Sequence, residues 1–318
     1  MFNSRKLPIF LKLAFGLALI YWLFQKGGLS YQNVKIGLLN GKLAVVFIIL
    51  ALVRLGLASF RTKDLLQIEG ASNKGIGEIL IISWASIFIS CIAPISIFGE
   101  LFKIKKLMNF KENLCRDNTI YAAIFSKLYS IITLLTIVLI AAFFTPELIP
   151  ISRSNYTILV GSLLALYVVF LFKNYFVSFL GFNKNDDYQG FFQRRWGNFH
   201  RYILKMLEDK FLIWRSLFFS IGIQVSNIVS IMLIIKLINP SVEVGILELA
   251  CVVSIGIFSM LVPISFYGLG VGHLAFASLL ALINIENGAD VFTIFFALSF
   301  IFNFIGVIPF LILNRRSA

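Results

Sequence analysis

Apolar runs about as long as a bilayer is thick recur through this chain, and they restrict its fold more than any other feature. A helix needs about 20 apolar residues to cross the hydrocarbon core. Runs near that length occupy 7–24, 43–60, 119–144, 155–172, 213–238 and 291–313. In lipid the backbone must bond to itself, so such runs are helices. Hydrophobic residues fill 59% of the 318 positions, against about 45–50% in soluble domains. The expected fold is an all-α polytopic membrane protein with about six full spans, forming one integral domain over 1–318. No polar block is long enough for a separate soluble catalytic domain.

The formal net charge is +13. The charges lie mostly in loops beside apolar runs, which favours orientation by the positive-inside rule over nucleic-acid binding. Lys103, Lys105, Lys106, Lys111 and Arg116 mark 103–118 as cytoplasmic, and eight bases from Lys173 to Arg215 mark 173–215 likewise. Glu147, Glu243, Glu248, Glu286 and Asp290 mark three connections as external. Arg5 and Lys6 precede a first run read as a retained span, so both termini are expected on the cytoplasmic side of the inner (cytoplasmic) membrane. The loop 25–42, with Lys26, Lys35 and Lys42, is placed outside against its charge.

Two further apolar segments, 76–93 and 246–262, end in an echo: Pro94-Ile95-Ser96 with Gly99, and Pro263-Ile264-Ser265 with Gly268. A full span over 76–93 would put the lysine-rich 103–118 outside. The charges agree if each segment enters and turns back, one from each face. The echo then marks two opposed re-entrant helical hairpins, an inverted repeat around a central site. Pro94 and Pro263 would end the entering helices for want of an N–H. Gly99, Gly268 and Gly270 would allow the turns. The alternative is a chance echo that kinks two ordinary helices.

Intramembrane ionisable groups point to function. Glu100 is expected to line a cavity and pair with Arg54, Lys103 or Lys127. Arg54, about six residues from the end of its run, either snorkels or grips a phosphate through its guanidinium fork. Arg61 reads as a plain cytoplasmic anchor. Lys127 lies deep in its run and suits a phosphate or Glu100. His273 either carries protons or caps a helix, and the backbone at Gly268 and Gly270 could receive an anion. The stretch 190–214 alternates bases with aromatic and aliphatic residues, as in an amphipathic helix on the cytoplasmic leaflet. Cys91, Cys115 and Cys251 fit neither a zinc site nor a disulfide framework. No catalytic residue, metal site or cofactor is expected, and the chain does not read as an enzyme.

These motifs resemble, in order, the membrane region of lysylphosphatidylglycerol synthases, a flippase-like family. The matching steps are Arg61-Thr62-Lys63-Asp64-Leu65-Leu66, then Pro94 with Gly99-Glu100-Leu101-Phe102-Lys103, then Lys127-Leu128-Tyr129-Ser130, and Pro263 with Gly268-Leu269-Gly270-Val271-Gly272-His273. Thr62, Lys127, Ser130 and His273 stand where the family has Trp, Arg, Asp and Glu. The aminoacyl-transferring domain of the synthases is not in this sequence. The resemblance implies lipid movement or lipid binding. The first reading is translocation of an anionic phospholipid or a polyprenyl-phosphate-linked glycan precursor. The second is a non-transporting, lipid-binding partner of a membrane glycosyltransferase or lipid synthase. A homo-oligomer stays open under both.

Overall fold

A computed structural model describes residues 21, 22, 25, 29–68, 75–93, 97–108, 113–145, 191–260 and 268–315. Apart from short turns they are helical, in eleven helices of more than one turn: α1 (Tyr31–Leu39), α2 (Gly41–Gln67), α3 (Ile76–Ile92), α4 (Ile97–Leu107), α5 (Asn113–Phe144), α6 (Phe191–Glu208), α7 (Lys210–Ile238), α8 (Ile246–Met260), α9 (Val271–Ala281), α10 (Gly288–Ile305) and α11 (Val307–Arg315). Four helical stretches among the described residues are long and apolar enough to cross a membrane: Gly41–Gln67, Asn118–Phe144, Lys210–Ile238 and Gly288–Arg315. They coincide with four of the six runs. The other two, 7–24 and 155–172, lie outside the described residues, as do Pro94 and Pro263.

Local chemistry sets the helix ends. Asn40 caps α2, its Oδ1 accepting from the Leu43 N–H at 3.0 Å. Asp209 starts α7 in the same way, accepting from Leu212 at 2.9 Å. A side-chain acceptor at this position satisfies one of the four orphan donors of a helix start. The last span breaks between α10 and α11 at Gly306. Three residues later Pro309 lacks the N–H that would reach back to Ile305.

The short apolar helices come in pairs. The helices α3 and α4 pack along each other, as do α8 and α9. In the first pair Gly99 lies against the Ser86 carbonyl and the Ser90 hydroxyl, where any Cβ would collide. In the second pair Gly268 and Gly270 adopt φ of 80° and 82°, a region that favours glycine. Each pair of short apolar helices flanks one echoed segment, which itself lies outside the described residues.

The bundle has two apolar cores. One joins Phe47, Leu55, Ile231, Ile234, Phe276, Phe292 and their neighbours on α2, α7, α8, α9 and α10. The other joins Leu65, Leu66, Ile79, Ile82, Tyr121, Phe125, Tyr202 and Met206 on α2, α3, α5 and α6. Along α2 the first core ends at Leu55 and the second begins at Leu65. The residues between them include buried Ser59, Arg61 and Thr62. A polar layer therefore separates the cores.

The packing adds two features that the sequence did not show. The amphipathic stretch was read as resting on the leaflet. In α6, Tyr202 and Met206 are fully buried in the second core, and the Tyr202 hydroxyl donates to the Leu65 carbonyl at 2.9 Å. Bundle contacts outcompete lipid for this part of its apolar face. And α1 is tied down by an acid: both carboxylate oxygens of buried Asp290 are engaged, by the Ser30 N–H and the Asn33 amide, each at 2.7 Å.

Asp290→Ala would leave both donors without their partner, at about 1–3 kcal/mol. Thermal unfolding in detergent should show that loss, and a smaller one for Asp290→Asn, which keeps one acceptor. Unchanged melting in Asp290→Ala would mean the α1–α10 tie is not made.

Candidate functional site

The polar layer is built from four helices. From α2, Arg61 is 5% exposed, and its Nη1 donates to the Ser220 hydroxyl of α7 at 2.6 Å and to the Ser130 hydroxyl of α5 at 2.9 Å. From α4, Lys103 is 8% exposed and donates to the Thr62 hydroxyl at 2.9 Å. Glu100, one turn earlier on α4, meets Lys127 of α5 at 3.4 Å, Oε1 to Nζ. The Lys127 side chain is 55% exposed, so the cluster grades from a buried guanidinium to an accessible ammonium.

Helical spacing explains the assembly. Ser216, Ser220 and Gln224 recur every four residues on α7, and all three are buried. They form a polar stripe in an otherwise apolar span, since residues four apart share a face. Lys127 and Ser130 are one turn apart on α5. Inside lipid, hydroxyls bond to the preceding turn, and Ser220 and Ser130 donate to the Ser216 and Ser126 carbonyls at 2.7 and 3.4 Å. Their lone pairs are then free to accept from Arg61.

The charges do not cancel. Arg61, Lys103 and Lys127 face one carboxylate, Glu100, which is in contact with Lys127. The hydrogen-bond partners of Arg61 and Lys103 are neutral hydroxyls, and the buried Nε of Arg61 has no partner. A buried cation without a counter-charge is costly. What this layer lacks is an anion with several acceptor oxygens, which a guanidinium fork and an ammonium suit.

The other sequence candidates sit elsewhere. Arg54 is the middle residue of α2, because the helix runs past the end of its apolar run. Its Nη1 donates to Asn227 at 2.7 Å and Ser230 at 3.3 Å on α7, and its guanidinium lies 5.1 Å from the Phe47 ring centre and 5.9 Å from that of Phe295. His273 is buried in α9, its Nδ1 accepting from the Gly270 N–H at 3.3 Å and its ring 4.7 Å from Phe292. That is a helix cap, and it uses the Gly270 N–H that was expected to face an anion. Gly268, Gly270 and His273 thus belong to the α8–α9 turn, while Glu100, Lys103 and Lys127 join Arg61. Among the described residues no three His, Cys, Asp or Glu side chains gather as a metal site.

Sequence reasoning missed Arg61, which it read as a surface anchor, and with it Thr62, Ser130 and Ser220. Two signals were present. Arg61, Glu100–Lys103 and Lys127–Ser130 are successive motif steps, and the i, i+4 polar stripe of α7 needs a polar partner.

A family model for the lysylphosphatidylglycerol synthase TM region matches residues 9–309. The chain therefore belongs to that family, through its membrane part. No curated relative and no solved structure matches it.

Replacing Arg61 with methionine tests the electrostatic reading. Ser130 and Ser220 keep their own acceptors, and removing one of three cations that face a single carboxylate lowers the uncompensated buried charge. Arg61→Met should melt no lower than the parent in detergent, which a guanidinium serving mainly as structural glue would not allow.

Proposed function

We propose that this member of the lysylphosphatidylglycerol synthase TM-region family moves a phosphate-bearing lipid across the membrane, holding its headgroup in the polar layer between α2, α4, α5 and α7. The observation that carries the reading is the surplus of buried positive charge at Arg61 and Lys103. A phosphodiester or pyrophosphate supplies the missing anion and several acceptors at once. Glu100, beside Lys127, is placed to take over one base when the headgroup leaves, so the site need not hold three uncompensated cations. An anionic phospholipid and a polyprenyl-phosphate-linked precursor both present this chemistry.

The same reading makes α3–α4 and α8–α9 the two re-entrant hairpins, facing each other across the bilayer. Their short apolar helices, the close approach at Gly99 and the positive φ at Gly268 and Gly270 support it. Irregular backbone at membrane depth is tolerated only where protein or a polar cavity satisfies it, and such breaks are where transporters place substrates.

Two measurements test this. In proteoliposomes the protein should speed the movement of labelled phosphatidylglycerol or polyprenyl phosphate. Arg61→Met and Lys103→Met, each removing a charged hydrogen bond of about 1.5–3 kcal/mol, should slow it about tenfold or more without loss of folded protein. If no anionic lipid moves faster, lipid translocation is wrong; retained binding in a lipid pull-down would then favour a lipid-binding partner. For the hairpins, single cysteines at Lys105 and Glu286, both exposed, should react with an impermeant thiol reagent from opposite sides, Lys105 from the cytoplasm. Labelling of Lys105 from outside would make α3 a full span.

A further inference from the structure

A second polar feature lies beside the first. A cavity of about 570 Å³ opens where the end of α2 meets the α6–α7 junction, lined by Asp64, Gln67, Lys205, Glu208, Asp209, Phe211 and Arg215 among others. Its charged lining is three carboxylates and two bases, opposite in sign to the Arg61 layer. The carboxylate of Asp64 is the informative group. Asp64 is 4% exposed, and its Oδ1 accepts from Arg215 at 2.9 Å. Its Oδ2 is buried and has no partner. Arg215 does not serve both oxygens; its guanidinium is held near the Phe211 and Phe219 rings, 5.4 and 5.8 Å from their centres.

A buried carboxylate oxygen without a donor carries an uncompensated desolvation cost. Asp209 is partly spent, since its Oδ1 caps α7. Glu208 and Asp209 stand at the exposed rim, and the carboxylates do not gather as metal ligands do. An ammonium fits better than a compact metal ion. It brings three donors and one positive charge, and an aromatic wall at Phe211 favours a cation.

We propose that this cavity takes an organic ammonium group, with Asp64 as its principal acceptor and Glu208 at its rim. The group arrives as a free amine or as part of a lipid headgroup. Asp64 and Arg61 are one turn apart on the same face of α2, a rise of about 4.5 Å, and both turn toward α7. An ethanolamine phosphodiester has its phosphate and ammonium at a comparable separation. In the headgroup form, which rests on the proposed phosphate site, the ammonium reads out which phospholipid has entered. The free-amine form stands without it.

The test uses the full chain in detergent. Its thermal unfolding is followed with ethanolamine chloride, with sodium chloride at the same ionic strength, and with ethylene glycol. Parallel samples carry phosphatidylethanolamine or phosphatidylglycerol in mixed micelles. Ethanolamine should stabilise the protein where sodium and glycol do not, and Asp64→Asn should weaken that response about tenfold, the effect of losing a charged hydrogen bond. If only phosphatidylethanolamine stabilises, over phosphatidylglycerol, and Asp64→Asn abolishes the difference, the ammonium binds as a headgroup. Should Asp64→Asn not fold, Glu208→Gln, a rim substitution, decides: a weakened response supports the site and an unchanged one overturns it. Equal responses to ethanolamine and sodium and to the two lipids, or a full response in folded Asp64→Asn, overturn the proposal. Arg61→Met should leave the ethanolamine response intact, so failure of lipid movement and failure of this site are separately visible.

Discussion

A guanidinium buried among hydroxyls organises this protein. Arg61 lies between two apolar cores, held by Ser130 and Ser220 from two other helices. Water at such a place would satisfy all five of its N–H groups; the protein supplies two neutral acceptors and leaves Nε without one. The neighbouring features follow from that shortfall. Lys103 of α4 is buried against Thr62 of α2, which adds charge instead of removing it. Glu100 is near enough to moderate the layer and is itself engaged with Lys127. Under the proposed function, an anionic headgroup offsets this surplus of positive charge.

The serine and glycine content of the spans has a related cause. Helices inside lipid gain little from apolar contact with one another, so they associate through close backbone approach and through polar bonds. Gly99 allows the first route, because a side chain there would push α4 off Ser86 and Ser90. The serines of α7 take the second. Ser220 and Ser230 each donate within α7 and keep a lone pair for an arginine across the interface. Arg54 with Asn227 and Ser230, and Arg61 with Ser220, repeat this pattern along the same α2–α7 contact.

The cation-rich layer and the acid-lined cavity at the α6–α7 junction stand one helical turn apart on α2. In a membrane the headgroup carries the chemical difference between one phospholipid and another. Neighbouring sites of opposite sign suit recognition of a headgroup by both its phosphate and its substituent. Family membership agrees with a role in membrane lipid handling, and the site gives that role a chemical form.

The described spans were legible from the apolar runs. The four described spans fall on runs visible in the sequence, because a bilayer sets a minimum helix length and forbids unpaired backbone. The echoed Pro-Ile-Ser segments lie outside the described residues, each between two short apolar helices that pack together. Family membership was readable from the order of the motif steps. The sequence could not show which charges meet. Position along a span suggested that Arg61 was a cytoplasmic anchor and left Arg54 open between snorkelling and phosphate binding, since distance from an apolar boundary is all that a linear reading measures. The tertiary structure carried α2 past that boundary and laid α5 and α7 against it, so Arg61 is buried and Arg54 sits mid-helix. It likewise turned His273 into a cap and gave part of the α6 apolar face to the bundle. Helix length and burial in lipid are local consequences of composition; the pairing of charges depends on which faces of distant helices come together, and only packing decides that.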